Sequence, residues 1–152
     1  MLDPPTATQP YRDSVVLLVE DNAVNRMVAR AMIEELGCQI VDAETGADAL
    51  MLVSRQRFDL ILMDCQMPVI DGFEAARRIR AQEQNAGATR RMPIIALTAN
   101  AIAGDRERCL AAGMDDYLTK PFSQRTLLAA IARWLPDPDG DDAATTAMRR
   151  AG

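Results

Sequence analysis

Five side chains at four places in this sequence share one setting: each sits at the end of a short run of strand length. Glu20 and Asp21 follow Val15–Val19, Asp64 follows residues 60–63, Thr98 follows 93–97, and Lys120 follows Asp116–Thr119. If those ends converge, three carboxylates, a hydroxyl and an ammonium share one pocket. Like charges about 4 Å apart repel by on the order of 4 kcal/mol at an effective dielectric of ~20. Such a cluster needs a compensating cation or a carboxyl with a raised pKa. Mg²⁺ suits it, as a hard ion that takes one or two carboxylates, keeps several waters and binds a phosphate oxygen; Mn²⁺ is the alternative. Lys120 adds a fixed positive charge. A cation, a lysine and a threonine around one carboxylate can stabilise a transferring phosphoryl group. Asp64 then reads as a nucleophile that forms an aspartyl phosphate. The chain contains no histidine, so the phosphoryl group must come from another molecule.

The elements that must position these groups are legible in order. Val15–Val19 is a continuous β-branched and aliphatic run, the mark of a strand buried on both faces. Val24, Met27, Val28, Ala31, Met32 and Leu36 recur at helical spacing, and Gly37 supplies the stop. Gln39–Ala43 is a second strand and 47–54 a short helix. After the third strand, Asp71 and Gly72 form the turn that starts a helix, with Phe73, Ala76 and Ile79 on one face. Arg77, Arg78, Arg80 and Glu83 lie on the other, and the arginines read as a solvated face. The fourth strand precedes a helix over 103–112 with Gly113 as a left-handed cap. Ser123 caps the last helix, whose stripe is Leu127, Leu128, Ile131, Trp134 and Leu135. Five strands alternating with five helices predict an α/β protein with parallel strands, helices on both faces and right-handed crossovers.

Composition bounds the rest. The 152 residues accommodate one domain, expected over 14–135. The Pro-bearing stretch 1–13 reads as a tail or linker, and the Asp/Gly/Ala/Thr-rich stretch 136–152 as a disordered tail. A net charge of −5 argues against a nucleic-acid surface. No apolar run approaches the roughly 20 residues of a membrane span, and a signal peptide is not evident. Three widely spaced cysteines, Cys38, Cys65 and Cys109, make no disulfide framework and point to a reducing cytoplasm.

The motifs 19–22 (Val-Glu-Asp-Asn), 62–72 (Leu-Met-Asp-Cys-Gln-Met-Pro-Val-Ile-Asp-Gly), 97–101 (Leu-Thr-Ala-Asn-Ala) and 120–122 (Lys-Pro-Phe) resemble the receiver domain of two-component response regulators. The Glu-Asp-Asn and Thr-Ala-Asn-Ala stretches are most similar to receivers of hybrid sensor histidine kinases. The resemblance implies a flavodoxin-like (βα)5 fold with strand order 2-1-3-4-5. It implies phosphotransfer from a histidine kinase or histidine phosphotransfer protein onto Asp64, or from a kinase core in the same longer chain. Mg²⁺ is then bound by Asp21, Asp64 and the Gln66 backbone carbonyl, with Glu20 acting through water. Thr98 moves toward the phosphoryl group, Tyr117 turns inward behind it, and the face of the fourth helix, fifth strand and fifth helix is remodelled. A cis Lys120–Pro121 bond is also implied. The chain itself is then a phosphoacceptor that catalyses only its own phosphorylation and dephosphorylation.

Rival classes fit less well. A haloacid-dehalogenase-like phosphohydrolase wants a second acid two residues past the nucleophile, where Gln66 stands. A flavodoxin-like electron carrier needs a phosphate cradle where Glu20-Asp21-Asn22 would repel one. A pure interaction module without phosphorylation has no need of Asp64, Asp21 and Lys120 together. No kinase, DNA-binding or other output segment is evident, so the chain reads as a stand-alone regulator or a piece of a hybrid kinase.

Overall fold

The computed structural model describes residues 11–99 and 105–135. The five strands are β1 (Val15–Val19), β2 (Gln39–Ala43), β3 (Leu60–Asp64), β4 (Ile94–Thr98) and β5 (Asp116–Thr119). The helices between and after them are α1 (Ala23–Glu34), α2 (Gly46–Arg55), α3 (Gly72–Asn85), α4 (Asp105–Ala111) and α5 (Gln124–Trp134). They form a single sheet in the order β2-β1-β3-β4-β5, with every neighbouring pair parallel. The expected alternation and strand order are both present. The stretches expected to be tails fall mostly outside the described residues, as does the expected start of the fourth helix near Ala103.

The pleat sends alternate residues of each strand to opposite faces, and the core divides accordingly. Leu17, Val19, Ile61, Met63, Ile94 and Ala96 pack with Ala49 of α2, Phe73, Ala76 and Ile79 of α3, and Cys109 of α4. Val16, Leu18, Leu60, Leu62, Ile95 and Leu97 pack on the other face with Ala29 and Ile33 of α1 and Leu127 and Ile131 of α5. β3 and β4 are buried along their whole length, which is why they read as unbroken apolar runs. Each fully buried Leu or Ile contributes roughly 1.5–3 kcal/mol.

The helix ends follow local chemistry. Asn22, Thr45, Asp71 and Ser123 each accept a hydrogen bond from a backbone N–H in the first turn of the helix they precede. Gly113, at φ 97°, closes α4 in the left-handed region.

Helix faces divide unevenly, and one expectation about them needs correction. On α1 the buried residues are Ala29 and Ile33, whereas Val24, Met27 and Val28 are 64%, 65% and 49% exposed. Of the apolar residues at helical spacing, Met32 and Leu36 pack against the core and the others lie outside it. On α3, Arg77 and Arg78 are solvated and pair with Glu74, but Arg80 is not. Its guanidinium donates to Glu83 and Asp115 and to the carbonyls of Gly113 and Met92, each at 2.8 Å. Glu83 and Asp115 in turn accept from the backbone N–H groups of Met92 and Ile94. Arg80 therefore ties α3 to the start of β4 and to the turn before β5.

Candidate phosphoacceptor site

All the strand-end groups lie along the carboxyl edge of the sheet, the edge where open α/β proteins place their ligands. Asp64 ends β3, and the next residue continues the ladder, since the Cys65 N–H donates to the Leu97 carbonyl at 3.0 Å. The loop after it returns at once: the Gly72 N–H donates to the Cys65 carbonyl at 3.1 Å. That return requires glycine. A Cβ on residue 72 would lie 2.4 Å from the Asp64 carbonyl oxygen and 2.8 Å from Cys65 Cα. The start of α3 thus rests directly on the Asp64 peptide.

Glu20, Asp21 and Asp64 each offer a carboxylate oxygen, and these oxygens lie within 4.8 Å of one another. Glu20 and Asp64 are buried and Asp21 is exposed. Lys120 extends from the end of β5 to place Nζ 2.9 Å from Glu20 Oε1 and 3.5 Å from Asp64 Oδ1. The Gln66 N–H donates to Asp64 Oδ1 at 3.1 Å, and the Asn22 N–H donates to Glu20 Oε2 at 3.2 Å. The Gln66 side chain is exposed. Thr98 is buried at the end of β4, opposite Thr119, and its carbonyl accepts from the Lys120 N–H at 2.7 Å. Tyr117 lies on β5 opposite Ala96, half-buried against the α2–α3–α4 side of the core. The Lys120–Pro121 bond is cis.

One ammonium faces two buried acids and a third nearby, so the electrostatics are unbalanced toward negative charge. Burial pushes the Asp64 carboxyl up from 3.8 to about 7, and the Glu20 charge adds to the rise. The Gln66 N–H and Lys120 oppose it and are outweighed. Burial pulls the Lys120 ammonium down, but its hydrogen bond to Glu20 and the field of Asp64 more than reverse this and leave it raised. An all-oxygen donor set with excess negative charge fits a hard divalent cation.

The sequence-predicted residues Glu20, Asp21, Asp64 and Lys120 are therefore brought together, with Gln66 beside them through its backbone. Thr98 joins the same edge, and Tyr117 sits on the adjoining strand, two residues inward. Sequence reasoning missed Gly72 as the residue on which the close loop return depends. The Asp-Gly pair signalled a turn but not an approach to the Asp64 backbone.

A doubly wound sheet with this acid–lysine cluster at its β1, β3 and β5 ends defines a class, that of receiver-type phosphoacceptor modules. The description of the response regulator receiver domain matches residues 16–132, and the chain belongs to that family. It is 41% identical over 133 residues to the sensor protein GacS of Pseudomonas syringae pv. syringae, covering 88% of this chain and 14% of that protein. The hybrid signal transduction histidine kinase A of Dictyostelium discoideum is 38% identical, over 87% of this chain and 6% of its own length. The chain thus spans about a seventh or less of these relatives. Among solved structures, it is 52% identical to the receiver domain of the sensor histidine kinase PA1611 from Pseudomonas aeruginosa PAO1, determined with a magnesium ion coordinated in the active site cleft. That match has a TM-score of 0.71 and covers 80% of this chain and 96% of that one. The receiver domain of Ssk1 from Saccharomyces cerevisiae, co-crystallised with the histidine phosphotransfer protein Ypd1, gives a TM-score of 0.74 at 33% identity, covering 82% and 90%.

Proposed function

We propose that this chain is the phosphoacceptor of a two-component phosphorelay, receiving a phosphoryl group on Asp64 from a phosphohistidine of a kinase or histidine phosphotransfer protein. The observation that carries the reading is the convergence of Glu20, Asp21, Asp64 and Lys120 into one cluster. Asp64 Oδ1 is held by the Gln66 N–H and Lys120, so attack is assigned to Oδ2. The Oδ2–P bond forms as the P–N bond of the phosphoimidazole breaks, and the electron pair stays on the imidazole nitrogen. Lys120 holds the carboxylate in place and faces the incoming phosphoryl charge. Mg²⁺, or Mn²⁺ on the same oxygens, would be held by Asp21, Asp64 and the Gln66 carbonyl with Glu20 behind; bound there, it supplies the positive charge the cluster lacks. Residues of this chain speed its own phosphorylation and dephosphorylation and turn over no separate substrate.

Thr98 donates its hydroxyl to a phosphoryl oxygen, and Tyr117 follows inward, altering the surface of α4, β5 and α5. An aspartyl phosphate biases this two-state element only through such differential contacts. The donor docks on α1: Val24, Met27 and Val28 are an exposed apolar face. A groove of about 380 Å³, lined by Glu20, Val28, Met32, Lys120 and Phe122, joins that face to the site. Residues 14–135 form the receiver unit. It works in the cytoplasm, consistent with three cysteines, Cys38, Cys65 and Cys109, that form no disulfide. Among the described residues no helix is long and apolar enough to cross a membrane.

The test is incubation with acetyl phosphate and Mg²⁺. The expected result is acid-labile label on the wild type and none on Asp64→Asn, with the fold intact. Label retained on another residue, or sustained release of phosphate, contradicts the assignment.

A further inference from the structure

Val69 combines a rare backbone conformation with an exposure that the fold alone does not explain. Its φ is 70°, the only positive value at a non-glycine residue among those described. A β-branched side chain in that region is a genuine outlier, whereas glycine enters it without penalty. The Ile70 N–H donates to the Pro68 carbonyl at 2.8 Å, closing a three-residue γ-turn with Val69 at its apex, a strained arrangement.

The backbone has a clear reason to turn here. Met67 is buried, and Ile70 packs against the same core. A Cβ on Gly46 would already lie 3.0 Å from Ile70, so Ile70 is clamped at the start of α2. Two inward residues separated by only two others force the chain to reverse sharply between them. The side chain has no such reason. Val69 is 103% exposed, as open as in an isolated extended peptide, so its methyl groups gain nothing inside the molecule. Strain at a site the side chain does not help to stabilise points to a use outside it.

The location indicates that use. Val69 is five residues past Asp64, on the loop closed by the Gly72–Cys65 hydrogen bond at the doorway of the acid cluster. Resting on the phosphorelay reading above, we propose that Val69 is a specificity-determining contact for the protein that delivers the phosphoryl group, an apolar anchor additional to the face of α1. A small donor has no surface to reach Val69, whereas a protein that brings a phosphohistidine to Asp64 must pass over this loop. Burying one valine against such a surface corresponds to about a tenfold gain in affinity.

The experiment compares the wild-type chain of 152 residues with Val69→Gly, Val69→Asn and Val69→Ile. The donors are acetyl phosphate with Mg²⁺ and a panel of purified, phosphorylated histidine phosphotransfer domains, Ypd1 included. The expected result is that Val69→Gly and Val69→Asn melt no lower than wild type and take label from acetyl phosphate at the wild-type rate. Their kcat/KM for transfer from the protein donors falls about tenfold, while Val69→Ile retains it. Unchanged protein-to-protein transfer in both the Gly and Asn variants overturns the inference. So does a parallel loss with both donor types, which would make Val69 structural. A wild type that labels with acetyl phosphate but accepts from no protein donor also overturns it. Failure of the wild type to label with acetyl phosphate is a separate result and removes the phosphoacceptor reading itself.

Discussion

The raised pKa of Asp64 makes fold stability depend on pH in a direction opposite to that of an ordinary paired carboxylate. In the unfolded chain Asp64 titrates at its usual 3.8, and in the folded chain at about 7. The folded state therefore holds a proton that the unfolded state has released. The stabilisation from that proton is complete below pH 3.8 and is lost as pH rises through 7. At 1.36 kcal/mol for each pKa unit the full effect is about 4 kcal/mol, a ceiling because the exposed Asp21 side of the cleft lets water relax around the charge. Asp64→Asn keeps an oxygen for the Gln66 N–H and never ionises. In EDTA, urea denaturation at pH 8.5 should find it more stable than wild type by about 2–4 kcal/mol, with the gap closing as pH approaches 4. Adding Mg²⁺ should then stabilise the wild type preferentially, by an amount that grows with its concentration. A gap that does not change with pH, or a variant less stable than wild type at pH 8.5 without metal, would refute the electrostatic account of the cluster.

Other perturbations separate contacts that position the site from contacts that merely decorate it. Gly72→Ala places a methyl 2.4 Å from the Asp64 carbonyl oxygen; since backbone must yield, the expected cost is about 2–3 kcal/mol by urea denaturation, together with slower labelling from acetyl phosphate. Arg80→Ala should cost about 2–3 kcal/mol, because it removes the shared partner of Glu83 and Asp115 on three segments. Arg77→Ala, on the same helix but solvated, should cost under about 0.5 kcal/mol in the same assay.

The site was legible from sequence to the degree that its physics is local. A central parallel strand must be apolar on both faces, so its end is marked by the first charged residue, and that rule located Asp64, Glu20 and Asp21; Lys120 follows the edge strand β5, which starts with Asp116, and was placed by its position after that strand. The N-caps were legible for the same reason, Asp71 and Ser123 each acting within three residues. The face of α1 was not. Helical spacing of apolar residues identifies a helix, yet of those apolar positions on α1 only Met32 packs against the core, beside Ala29 and Ile33, while Val24, Met27 and Val28 remain outside. Arg80 was misjudged because its partner Asp115 is 35 positions away; charge spacing within α3 carries no trace of that pairing. The left-handed turn at Val69 was hidden because glycine or asparagine is the residue that normally announces one.

The choice of basic residues adds a constraint that neither the fold nor the motif order supplies. The sequence has sixteen arginines and one lysine, and that lysine is Lys120. Wherever a cation only has to lie on the surface or fork between carbonyls and carboxylates, as Arg80 does, a guanidinium serves. At position 120 the cation must point a compact charge at Glu20 Oε1 and Asp64 Oδ1 together, within 3.5 Å of both, and still leave space over the proposed nucleophile, Asp64. A planar fork would occupy that space, whereas an ammonium on a flexible stem does not. The lone lysine thus suits the phosphoryl-transfer role proposed for this site, and replacing it with arginine should slow labelling from acetyl phosphate.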